Sequence, residues 1–117
     1  MRLSALTLIF ALATAPAIAA DMIPAADAGK HVGETGTVVG VLSNVHLANS
    51  GKLIQLEIGG AYPNNPLSAV IFKSDMGKFP DMTAMVGKTL AITGRIEMYR
   101  EKPEIVLKDI SQVQVAR

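Results

Sequence analysis

Residues 67–98 read LSAVIFKSDMGKFPDMTAMVGKTLAITGRIEM, and their order decides the architecture. Leu67 to Lys73 alternates, with Val70 and Phe72 against Ala69 and Ile71, which is the two-residue period of a strand. Ser74-Asp75 offers a helix cap, and the pattern predicts a short helix near Asp75 to Phe79. Pro80 interrupts it because proline supplies no N–H, and Asp81 to Val86 reads as a second helical turn. Gly87-Lys88 ends the segment, and Thr89 to Met98 is the most regular strand of the chain. Leu90, Ile92, Ile96 and Met98 face the core with Gly94 among them, while Thr89, Ala91, Thr93, Arg95 and Glu97 face out. Met76, Met82, Met85 and Met98 read as core filler beneath the helix.

Outward from this centre the chain is β throughout. Gly33 to Leu42 alternates and is rich in Val and Thr, and Gly33, Gly36 and Gly40 suit a strand that bends or bulges. Asn44 to Lys52 is a polar turn. Leu53 to Ile58 is a second strand, with Ile54, Leu56 and Ile58 opposite Gln55 and Glu57. Gly59 to Pro66, GGAYPNNP, stops both helix and ladder. Downstream, Tyr99 to Pro103 is a charged turn. Glu104 to Ile110 is a fifth strand with Ile105 and Leu107 inward, and Val113 and Val115 extend it or dock the tail. Residues 20–30 form a lead-in with at most one loose turn. Five strands with a short helix between the third and fourth are the order of an all-β OB-fold, a small Greek-key barrel, over residues 31–117.

The N-terminus bounds where such a domain works. Met1-Arg2 is followed by the uncharged apolar run Leu3 to Ala15, then Pro16 and the small-residue site Ala17-Ile18-Ala19. That grammar predicts a secretory signal peptide over residues 1–19, cut near Ala19, and a periplasmic or secreted protein without a membrane anchor after cleavage. Removal of 19 residues from 117 leaves 98, enough for one small domain. Arg2 leaves with the signal, so ten Lys/Arg face ten Asp/Glu and the exported form is neutral. A neutral chain is not a general polyanion binder, although a local basic patch remains open. The absence of cysteine excludes disulfides, thiol nucleophiles and cysteine metal sites.

The runs VGETGTVVGVL, KLIQLEIGGAYPNNPLSAVIF and VGKTLAITGRIEMYREKPEIVLKDISQV resemble a family of small exported bacterial OB-fold proteins described as nucleic-acid-binding-like. Three features carry the resemblance: the G-x-Y-P-N loop from Gly60 to Asn64, the Val-Gly-Lys step into Thr93 to Ile96, and Tyr-Arg-x-Lys-Pro-x-Ile from Tyr99 to Ile105. It spans residues 31–115 and implies the barrel, together with weak binding of single-stranded DNA or RNA.

The residues themselves give little support to catalysis, and none to a cofactor or metal. His31 and His46 are fifteen residues apart without a converging ligand set, and read as exposed loop residues. No serine sits in a nucleophile motif, and Gly59-Gly60 is no phosphate loop. The barrel's usual ligand surface crosses strands two and three between two flanking loops. Placed there are His46, Tyr62, Lys73, Arg95, Tyr99, Arg100 and Lys102, an aromatic-and-cation set of the kind that stacks bases and tracks phosphates. A solvated hairpin tip at Arg100 to Lys102 is the competing reading. The alternative partner is an envelope protein or polymer using the same groove without phosphate contacts, and the oligomeric state is left open.

Overall fold

Eight strands and four 3-10 segments are found among residues 22–116, the part of the chain that the computed structural model describes. The expected signal peptide, residues 1–19, lies outside the described residues. The strands are β1 (Met22–Pro24), β2 (Thr35–Leu47), β3 (Leu53–Ile58), β4 (Leu67–Phe72), β5 (Thr89–Arg95), β6 (Glu97–Tyr99), β7 (Lys102–Leu107) and β8 (Val113–Val115). They form one sheet in the order β6-β7-β4-β3-β2-β5-β8, with β1 parallel to β2 off that path. The expectation of a five-stranded barrel is therefore corrected to an eight-stranded sheet that does not close through hydrogen bonds. Five of its strands are long, β2, β3, β4, β5 and β7, and β4 pairs β7 in parallel.

Two irregularities bend the sheet round a single core. Thr35 to Val41 of β2 pairs with β5, whereas Leu42 to Leu47 pairs with β3, and the register slips between Leu42 and Asn44. The extra residue, Ser43, is a bulge that turns the strand from one half of the sheet to the other. The expected strand Thr89 to Met98 breaks at Ile96 into β5, which pairs β2, and β6, which pairs β7. At the break Gly33 donates to the Ile96 carbonyl at 2.7 Å and Ile96 donates to the Glu34 carbonyl at 2.8 Å, so the corner leaves that backbone satisfied. β5 and β7 do not pair across it. Gln112 spans the seam instead, its Nε2 donating to the carbonyls of Thr93 (3.0 Å) and Val106 (3.2 Å). A Cβ on Gly94 would stand 2.6 Å from Ile105 Cγ2, so the seam packs only without a side chain there.

Inside lie Leu42, Leu56, Ile58, Ile71, Leu90, Ile92, Ile96, Ile105 and Leu107, all fully buried, and Leu90, Ile92, Ile96, Ile105 and Leu107 are those expected inward. Met82 joins this core and Met76 and Met85 pack against it. Met98 does not: it is 53% exposed, because β6 runs past the end of the core and has a partner on one side only. Ala91, expected outside, is buried.

The remaining departures are local. Residues 22–30, read as a lead-in, form β1 and the 3-10 segment Ala25–Lys30, burying Ile23, Ala25 and Ala28. The helix expected at Asp75 to Phe79 is a 3-10 segment over Lys73–Lys78, with no side-chain cap from Ser74 or Asp75. Six residues stopped by Phe79-Pro80 are too few for stable α-helix. Met82–Met85 forms the second turn, capped by Asp81, whose carboxylate accepts from Thr83 N at 3.0 Å. Among the described residues no helix is long and apolar enough to cross a membrane.

Candidate functional site

Residues in register on neighbouring strands share a face, and the face turned away from the core carries the candidate site. Glu57 of β3, Ser68 of β4, Glu104 of β7 and Glu97 of β6 form one row across four strands, with Asn44 of β2 at its end. One step along, His46, Gln55, Val70 and Val106 form a second row. Phe72 continues β4 beyond it. On the other side of the carboxylates, Tyr99 of β6 is paired with Lys102 of β7.

The row of acids is partly built into the fold. Glu57 is only 4% exposed, although it points away from the core. Its Oε1 accepts from Tyr62 N at 2.9 Å and from Asn44 Nδ2 at 3.4 Å, which draws the loop Gly59 to Pro66 down over the face. Buried Asn65 donates to the Leu67 carbonyl (2.8 Å) and to Ser68 Oγ (2.9 Å). Gln55 Nε2 also donates to Ser68 Oγ, at 3.1 Å. Glu104 is half-buried and its carboxyl is held above the usual glutamate value, first by that burial and then by the Glu97 carboxylate opposite.

The seven residues expected to form the site separate into groups. Lys102 is committed to structure: its ammonium donates to the carbonyls of Pro63 at 2.8 Å and Asn65 at 2.9 Å, pinning the covering loop to β7. Two of its three donors are therefore used within the fold. Arg100 lies over the Tyr99 ring, 5.3 Å from its centroid, at a two-residue turn where Arg100 and Glu101 both take positive φ. Tyr62 stands exposed on the covering loop, and the Tyr62–Pro63 peptide is cis. His46 is exposed as expected, but in β2 rather than in a loop, because the polar run after Ser43 continues the ladder to β3. Lys73 begins a 3-10 segment instead of ending a strand, and its N–H donates to the Lys52 carbonyl at 2.9 Å.

Arg95 alone of the seven lines the open groove that indents this face. Phe72 and Val106 form its floor, and Ser74, Asp75, Arg95, Glu97 and Lys108 its walls. Phe72 is 43% exposed there, a large apolar side chain left uncovered beside charged ones. Phe72, Val106 and Lys108 were not among the expected site residues. Alternation in Leu67 to Lys73 already placed Phe72 and Val70 on one side, but nothing local distinguishes that side from the core. Among the described residues no three metal-ligating side chains gather.

No family model matches the chain, and no curated protein matches its sequence. Solved structures match it in shape. A putative aspartyl-tRNA synthetase from Leishmania major Friedlin aligns at a TM-score of 0.52 and 12% identity, covering 80% of this chain and 20% of that one. The S. pombe Stn1-ten1 complex aligns at 0.51 and 15% identity, covering 71% of this chain and 65% of that one. An OBody bound to hen egg-white lysozyme aligns at 0.50 and 13% identity, covering 80% and 90%. The chain thus spans a fifth of the synthetase and about two thirds of the Stn1-ten1 chain. Identities this low establish the fold alone: the chain has a mostly-β fold of the OB type.

Proposed function

We propose that the chain is an exported, non-catalytic OB-fold binding module whose outer face engages a polypeptide rather than a single-stranded nucleic acid. The observation that carries this reading is the row Glu57, Glu104 and Glu97 across the middle of the face. A nucleic-acid strand crossing β3 and β4 toward the hairpin would bring phosphates over Glu104 and Glu97 of β7 and β6, with the buried charge of Glu57 beneath the covering loop. The cations on either side of the row, Arg100 at the hairpin and Arg95 and Lys108 at the groove, are divided by it. Phosphate binding needs clustered, uncommitted cations, and Lys102 is committed. An apolar floor with mixed charges at its edge suits a protein partner. The folds of the Stn1-ten1 complex and of the lysozyme-bound OBody are compatible with either partner class, so it is the face that favours one.

Fluorescence anisotropy with labelled single-stranded DNA and RNA, at low and physiological salt, tests the exclusion. No saturable binding at low salt is expected; micromolar binding that weakens steeply with salt overturns the reading. A photocrosslinking residue at Phe72, against a control at Val86, tests the positive half in the cells that export the protein. Protease-sensitive adducts from Phe72 alone are expected. Export itself is checked by sequencing the N-terminus of the recovered protein, which is expected to begin at Ala20.

A further inference from the structure

Resting on that polypeptide reading, we propose that the groove between the end of β4, β7 and the β5–β6 corner is the contact point. It takes an extended peptide segment carrying a carboxylate side chain next to an aromatic or branched apolar one. Four observations lead there. Phe72 and Val106 offer an uncovered apolar floor, on which a side chain of matching size removes water from both surfaces. Of the two acids in the groove, Asp75 is paired with Lys78 at 3.0 Å, whereas Glu97 stands 3.8 Å from Arg95 and is half exposed.

The two cations are not engaged to the same degree. Lys108 makes no ion pair among the described residues, and only its backbone N–H is used, donating to Gln112 Oε1 at 2.7 Å. Arg95 Nε stands 3.8 Å from Glu97 Oε2, a distance beyond a hydrogen bond, and the Arg95 side chain is 60% exposed. Its two terminal amino groups therefore remain available in the planar fork that grips a carboxylate with two parallel hydrogen bonds. With Asp75 paired to Lys78 and Glu97 beside Arg95, one positive charge, that of Lys108, is left over beside the apolar floor, so the complementary partner presents a negative charge beside an apolar group. Free phosphate would also meet this charge but would bring no apolar group for Phe72; a nucleic-acid strand would bring bases for it, so the oligonucleotide measurement separates the two.

The test uses the purified chain, as processed by its expressing host, as bait for a displayed random heptapeptide library. Enrichment of Asp or Glu adjacent to Phe, Tyr, Leu or Ile is expected. Selected peptides, fluorescein-labelled, should lose about tenfold or more in affinity with Arg95→Glu/Lys108→Glu and with Phe72→Ser, a bidentate charged contact contributing on that scale. Lysine replacements at the acidic peptide positions should restore binding to the charge-reversed protein. All three sites are exposed, and a native melting temperature in each variant shows that the fold is kept. Binders indifferent to Phe72, Arg95 and Lys108 but lost on Tyr62→Ala or Tyr99→Ala would overturn this inference while leaving the polypeptide reading standing. A library with no binder, alongside oligonucleotides that do bind, would overturn both.

Discussion

Glu57 shows how one side chain can change the meaning of a surface. In the sequence it is the polar half of an alternating strand, indistinguishable from any solvated glutamate; in the fold it is the buried acceptor for Tyr62 N and Asn44 Nδ2. Replacing it with alanine strands the Tyr62 N–H beneath its loop, and is expected to cost about 1–3 kcal/mol in urea unfolding. Amide exchange at Tyr62 should accelerate in the same variant, which separates loss of the anchor from general destabilisation. Glu104 makes the opposite prediction. Its folded-state carboxyl binds a proton more tightly than the unfolded one, so its ionisation weakens the fold as pH rises through the range just above the ordinary glutamate value. Glu104→Gln is therefore expected to raise the melting temperature at pH 7 by a few degrees, of order 2–4 °C, by removing a half-buried charge and its like-charge cross-strand pairing with Glu97. The gain should vanish as pH falls through the raised folded-state pKa toward the ordinary glutamate value; a gain independent of pH would remove the electrostatic explanation.

At the scale of elements, the informative places are the corner at Ile96 and the hairpin that follows it. The corner depends on Gly94 and Gln112, which close the seam between two strands that do not pair. Gly94→Ala forces a contact with Ile105 and is expected to cost about 1–3 kcal/mol, and a stability unchanged in urea would show that the seam can yield. The β6–β7 hairpin turns on Arg100 and Glu101, both at positive φ without being glycine or asparagine. Arg100→Asn with Glu101→Gly restores the residues such a two-residue turn favours, and is expected to add about 1 kcal/mol, read as a higher urea midpoint. The missing Asn-Gly signal is also why the charged segment Tyr99 to Pro103 reads as a whole loop, when only two of its residues turn. β3 and β4 were legible almost to the residue because alternation is flanked by unmistakable turn residues. β1 was not: Met22-Ile23-Pro24 is too short to show a period, and its place is set by the open edge of β2. Ile23→Ala, expected to cost about 2–4 kcal/mol, checks that this strand belongs to the core.

For the molecule as a whole, the sequence by itself determined the five long strands and the short helical segments between the third and fourth, the alternation along them and the near balance of charge. It also determined which chemistries lack their residues. These follow from local periodicity, turn chemistry and composition, each written into a few consecutive positions. The tertiary structure alone decided the rest. It placed three carboxylates from three strands in a single row, drew Lys102 away from solvent to hold a loop, and left Phe72 uncovered beside Arg95 and Lys108. The physical reason is that a face is made by register between strands distant in the chain. The side chains that meet across Glu57, Glu104 and Glu97 have no sequence neighbourhood in common, so their charges combine only once the ladder is formed.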